Sequence, residues 1–77
     1  MGDMQRIPPQ PPEKVCKILV KPGFVQSRQK GSHIFFRHPD GRTTVVPFHK
    51  GEDISKGLLA KIIHDCDVSK EEFFDAL

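Results

Sequence analysis

No run of apolar side chains in this 77-residue sequence approaches the ~20 residues that a membrane-spanning helix needs, and the first twelve residues lack the apolar stretch of a secretory signal. A cytoplasmic location is therefore expected. Cysteine is scarce: Cys16 and Cys66 are the only two, and both fall inside helical patterns with no secretory context, so two reduced thiols are expected rather than a disulfide. Neither a Cys-x-x-Cys pair nor a helix-borne His-x-x-x-His pair occurs, which removes the familiar structural zinc spacings, and no metal is expected. Met1-Gly2 could suggest myristoylation, but Arg6 stands where that signal needs Ser or Thr. Length sets a further limit, because a chain this short buries only ~60% of its unfolded surface and supports one core. A second domain for a small-molecule cofactor has no room, so none is expected. Charged residues at 29% and hydrophobic ones at 36% are ordinary for a globular domain and speak against disorder.

Acidic residues are almost missing from the front half. Residues 14–50 carry eight Lys and Arg against Asp40 alone, whereas residues 51–77 carry seven Asp and Glu against three Lys. The net charge of +2 hides this asymmetry. A basic segment of that density is the footprint expected of a phosphate-backbone ligand, although a merely solvated basic face has the same composition.

Residues 1–12 hold four prolines, which remove backbone donors and favour an extended arm. From Glu13 onward Val15, Ile18 and Leu19 fall on one helical stripe, and Pro22-Gly23 stops the pattern, so a first helix is expected over about 12–21. Strands are expected over Phe24 to Arg28, Ser32 to His38 and Arg42 to Pro47, with Gln29-Lys30-Gly31 as the first turn and Pro39-Asp40-Gly41 as a three-residue hairpin loop. That loop pairs His38 with Arg42, hence Phe36 with Thr44, Ile34 with Val46 and His33 with Pro47. Ile34, Phe36, Val46 and Phe48 then face the core, and His33, Phe35, Arg37, Val45 and His49 face away. Ser55 is a candidate cap for a second helix carrying Leu58, Leu59, Ile62 and Ile63, which is expected to break at Asp65 to Val68. Ser69-Lys-Glu-Glu72 matches a capping box that opens a short last helix with Phe73, Phe74 and Leu77. No internal repeat is visible. The order defines an α+β sandwich with helices on one sheet face and the other face free to bind.

Set against this pattern, Gly23-Phe24, Arg28-Gln-Lys-Gly31-Ser32-His33, Pro47-Phe-His49 and Gly57-Leu-Leu59 stand in an order and spacing that resembles the HicA toxin family, from about Lys14 to Leu77. The resemblance implies a double-stranded-RNA-binding-domain-like α-β-β-β-α sandwich with a short extra C-terminal helix. It divides the chain into a Pro-rich arm over 1–12 and an RNA-cleaving domain over 13–77. It also implies a toxin endoribonuclease that cleaves mRNA and is neutralised by a HicB-type antitoxin. The family's catalytic histidine maps onto His33; His49 maps onto the Pro-x-His histidine, a second catalytic or phosphate-binding candidate.

Chemistry agrees with that mapping. Histidine titrates near neutral pH, and RNA cleavage needs a base for the attacking oxygen, an acid for the leaving one and positive charge on the phosphate. Arg28, Lys30 and Arg37 are the nearest candidates for phosphate contact, Gly31 lets backbone approach a ligand, Ser32 is a further RNA-binding candidate in the same element, and Phe35 can stack on a base or meet the antitoxin. His38 and His64 are expected to be structural or at the surface. Taken alone, a strand-borne His33 is more often a half-buried hydrogen-bonding residue; the ordered motif set reverses that reading. The alternative from another class is a non-catalytic RNA-binding module of the same fold. Such a module wants a basic cluster at the start of the helix after the sheet, and Lys56 and Lys61 beside Glu52 and Asp53 make a weak one. A protein-binding adaptor explains the free face but not the basic segment.

Overall fold

The computed structural model describes residues 8–76. Helix α1 spans Pro12–Val20, with Pro12 in the first turn, where its missing N–H costs nothing, and Glu13 beside it at the positive end of the helix dipole. Val15, Ile18 and Leu19 are buried on one stripe, as the spacing requires. The helix closes through Gly23 N–H to the Val20 carbonyl (3.0 Å) and Phe24 N–H to the Leu19 carbonyl (3.1 Å), a reversal that Gly23 permits with φ of +114°.

Three antiparallel strands follow in the spatial order β1-β2-β3: β1 Val25–Lys30, β2 His33–Arg37 and β3 Thr43–Pro47. The register between β2 and β3 is His33 with Pro47, Ile34 with Val46, Phe35 with Val45, Phe36 with Thr44 and Arg37 with Thr43. This is the pairing that the Pro39-Asp40-Gly41 loop dictates, and His38 N–H bonds to the Arg42 carbonyl at 2.8 Å to start it. The first turn differs from expectation. Gln29 and Lys30 belong to β1, and the loop is Gly31-Ser32 alone, with Gly31 at φ +58°. A two-residue hairpin with glycine first matches the twist of the strands it joins, and this local preference outweighs the polar look of Gln29-Lys30. Ser27 is a bulge between Gln26 and Arg28, its hydroxyl donating to the Phe35 carbonyl at 3.1 Å. Nothing in the local sequence signals it.

Helix α2 spans Lys56–Cys66, capped by the Ser55 hydroxyl, which accepts from Leu58 N–H at 3.3 Å. Asp65 and Cys66 continue the helix rather than break it; the stop falls at Asp67, which takes the left-handed conformation at φ 53°. The buried stripe is therefore Leu59, Ile62, Ile63 and Cys66, while Leu58 is exposed. Helix α3 spans Lys70–Ala76. Its capping box is reciprocal: Glu72 N–H donates to the Ser69 hydroxyl (3.0 Å) and Ser69 N–H to the Glu72 carboxylate (3.2 Å). Phe73 is buried; Leu77 and the side chain of Phe74 lie outside the described residues, as do residues 1–7 of the Pro-rich arm.

All three helices contribute to one core with Phe24, Ile34, Phe36 and Val46, and each fully buried large apolar side chain stabilises the fold by ~1.5–3 kcal/mol. Phe48 is only partly buried at its edge. Phe24 is an interior anchor rather than a strand residue, 1% exposed, with the His38 ring edge-on at 5.1 Å and the Arg42 guanidinium 5.1 Å from its centre. Thr44, buried among these apolar groups, donates to Asp65, which also holds Lys61 at 3.1 Å. Gln10 and Ile54 exchange backbone hydrogen bonds at 3.2 and 2.7 Å, so the end of the arm is tied to the chain just before α2. The result is an α+β sandwich with the α-β-β-β-α order of double-stranded-RNA-binding domains and a short extra helix.

Candidate active site on the open sheet face

The helices cover the sheet face that carries Ile34, Phe36, Thr44 and Val46, all buried. The opposite face is uncovered. On β2 it presents His33, Phe35 and Arg37; partner positions on β1 add Lys30 opposite His33, Arg28 opposite Phe35 and Val25 opposite Arg37. Five of the eight residues singled out from sequence thus share one face. Neither Val25, which the bulge at Ser27 brings to this face, nor Thr43 and Val45 of β3 belonged to that set.

His33 is exposed, and its ring has no hydrogen-bond partner among the described residues. The half-buried structural role is thereby removed. Lys30 and Pro47 flank it across the sheet, and Gly31-Ser32 forms the turn immediately before it. The Arg28 guanidinium lies 4.7 Å from the centre of the Phe35 ring, in cation–π geometry, and Phe35 is half-buried while Arg28 is exposed. Beyond Arg37 the face runs into a shallow hollow of about 400 Å³ lined by Val25, Ser27, Arg37, His38, Pro39 and Gly41.

His49 is placed differently. The β2–β3 ladder ends with Phe48 N–H bonding to the Ser32 carbonyl at 2.6 Å, and His49 is the next residue, exposed, at the start of a turn in which its carbonyl accepts from Glu52 N–H at 3.0 Å. Sheet register therefore brings His33 beside the cations but stops one residue short of His49.

Not every basic residue of the front half is available to a ligand. Arg42 is committed to the fold: it pairs with Asp40 at 2.9 Å, donates to the Cys66 carbonyl at the end of α2 and covers Phe24. Hydrogen bonds from Arg42 hold the Asp40 carboxyl below its ordinary range. His38 is likewise structural, with Nε2 3.0 Å from the Pro22 carbonyl and Nδ1 3.2 Å from the Asp40 backbone nitrogen and 3.0 Å from the Asp40 carboxylate. Both cysteines are free thiols, and burial pushes the Cys66 thiol up to about 11. Among the described residues no three His, Cys, Asp or Glu side chains converge to hold a metal, and no helix is long and apolar enough to cross a membrane.

Fold and face together define a small module of double-stranded-RNA-binding-domain-like architecture whose uncovered sheet carries one exposed histidine among three cations. Residues 12–68 match the family described as HicA toxin of bacterial toxin-antitoxin, and the chain belongs to that family. It is a toxin of a toxin–antitoxin system. The match begins at the first residue of α1 and ends just before α3, leaving the arm and the last helix outside it. No curated protein matches the chain.

Proposed function

We propose that this toxin is an endoribonuclease that cleaves mRNA in the cytoplasm, with His33 as its catalytic residue and residues 13–77 as the cleaving domain. The observation that carries the reading is the exposed, unpartnered His33 ring on a face shared with Arg28, Lys30 and Arg37. The ring takes no part in hydrogen bonding among the described residues, and beside three cations it is placed to serve a phosphodiester.

In the reaction, the ribose 2′-oxygen attacks the adjacent phosphorus as its proton passes to a base. The bond from phosphorus to the 5′-oxygen breaks, and an acid protonates that oxygen. The products are a 2′,3′-cyclic phosphate and a 5′-hydroxyl end. His33 takes one of the two proton transfers, Lys30 and Arg37 balance the charge that grows on the phosphoryl oxygens, and the Gly31-Ser32 turn lets the strand approach without a bulky side chain in its way. His49 supplies the second proton transfer or holds phosphate. A HicB-type antitoxin silences the site.

The test is incubation of the purified protein with single-stranded RNA, beside His33→Ala. Wild type should cut and the variant should bind without cutting. Binding without cleavage by both would establish the non-catalytic module instead, and cleavage by His33→Ala would remove His33 from the chemistry.

A further inference from the structure

We infer that the Arg28–Phe35 stack is a nucleobase platform and that the RNA bound at His33 is therefore unpaired; this rests on the RNA-cleaving reading above. Three observations converge. Phe35 lies in the middle strand of the open face, two residues from His33, a separation of about 7 Å along a strand. Its ring is half-buried, which fixes it, and the Arg28 guanidinium lies over it at 4.7 Å. A guanidinium on an aromatic ring presents a flat, cationic, weakly hydrated surface outward, the kind of surface on which bases stack. Val45 sits opposite Phe35 on β3 and extends the apolar strip.

The surroundings favour one strand over two. A base can stack on this platform only if its own face is free, which a base inside a duplex does not offer. Phosphates on either side of such a base would fall toward Lys30 beside His33 and toward Arg37 at the far end of β2. The start of α2, where a duplex reader wants a basic cluster, offers little: Lys61 is tied to Asp65 at 3.1 Å, and Lys56 stands near Glu52 and Asp53 in the chain.

Binding of three 2′-O-methyl ligands, which resist cleavage, separates the possibilities: a short single strand, the same backbone with abasic sites, and the corresponding duplex. The single strand should bind about 5- to 150-fold more tightly than its abasic counterpart, the range for one stacked base. Phe35→Leu should abolish most of that difference and Phe35→Trp should keep it, with both variants checked for unchanged thermal melting. Arg28→Lys, which keeps the charge and loses the plane, should narrow it. Equal binding of the single-stranded and abasic ligands by wild type, or a base contribution that survives in Phe35→Leu, would overturn the platform while leaving the RNA-cleaving reading intact. Tighter binding of the duplex would overturn the claim of an unpaired substrate. Failure of all three ligands to bind at low salt would remove the RNA reading itself and the platform with it.

Discussion

His49 is where register stops helping, so its role has to be read from rates. If it is the second proton-transfer group, His49→Ala should lower kcat by ~10²–10⁴-fold and strip one limb from a bell-shaped pH profile. A near-normal rate with both limbs intact would leave His33 as the sole catalytic histidine. Two glycines give a second contrast between single residues, this time on stability. Gly31 has open space where a Cβ would go but a φ of +58°, so Gly31→Ala should cost the positive-φ backbone strain alone, about 1–2 kcal/mol, with Tm falling by about 4–8 °C per kcal/mol. At Gly23 the φ is +114° and a Cβ would lie 3.0 Å from His38 Nε2, so Gly23→Ala should melt lower still, because it also disturbs the His38 contact to Pro22. Equal melting temperatures would show that His38 yields at no cost.

Among the elements, the β2–β3 hairpin carries a built-in acid sensitivity. Asp40 accepts from the Arg42 side chain and backbone and sits 3.0 Å from His38 Nδ1, and its carboxyl is held below the ordinary value of 3.8. A carboxyl whose folded value is depressed contributes stability that is present above the unfolded value and lost as pH falls through the folded one. Asp40→Asn should therefore lower the melting temperature at neutral pH and flatten its fall below about pH 4. A variant with an unaltered acid limb would show that other carboxylates carry that loss. This hairpin was also the most legible part of the chain. Pro39-Asp40-Gly41 prescribes its loop, the loop prescribes the register, and the register sorts Ile34 and Phe36 inward from His33, Phe35 and Arg37. The turn at Gly31-Ser32 and the bulge at Ser27 were not legible in the same way. Six consecutive exposed residues on β1 leave no alternation to read, because neither face of this edge strand is buried in the core. Leu58 misled for the opposite reason, since an exposed leucine next to a buried one looks the same in sequence as two core residues. The contacts of Arg42 with Phe24 and with the Cys66 carbonyl, far from it along the chain, became visible only in three dimensions.

Across the whole molecule, charge separates along the chain as well as in space. With Arg42 committed to Asp40 and the end of α2, Arg28, Lys30 and Arg37 give the open face its sign, whereas seven of the ten acidic residues lie in residues 51–77. An anionic ligand is drawn to the sheet and repelled from the α3 end. Each phosphate contact should contribute ~0.7 to the slope of log affinity against log salt for a single strand. Lys30→Ala and Arg37→Ala should each flatten that slope; an unchanged slope would take the residue off the RNA surface.

The same field bears on how such a toxin is silenced. Among the described residues the sheet face around His33 is open, so steric cover by another protein is a direct way to block it. An acidic antitoxin surface laid on this face meets the same three cations as RNA does, so the two ligands should exclude one another. It follows that Lys30→Ala and Arg37→Ala should weaken both partners, that antitoxin association should slow as salt rises, and that added RNA should raise the apparent Kd for antitoxin in proportion to its concentration. Competition binding with a 2′-O-methyl single strand and a HicB-type antitoxin measures this directly, because the RNA cannot be consumed during the titration. Mutual displacement is the expected result. A stable ternary complex in which cleavable RNA stays bound yet uncut would mean that the antitoxin sits elsewhere and acts on His33 through a change in the sheet. In that case Lys30→Ala and Arg37→Ala would weaken RNA binding and leave antitoxin binding as it was.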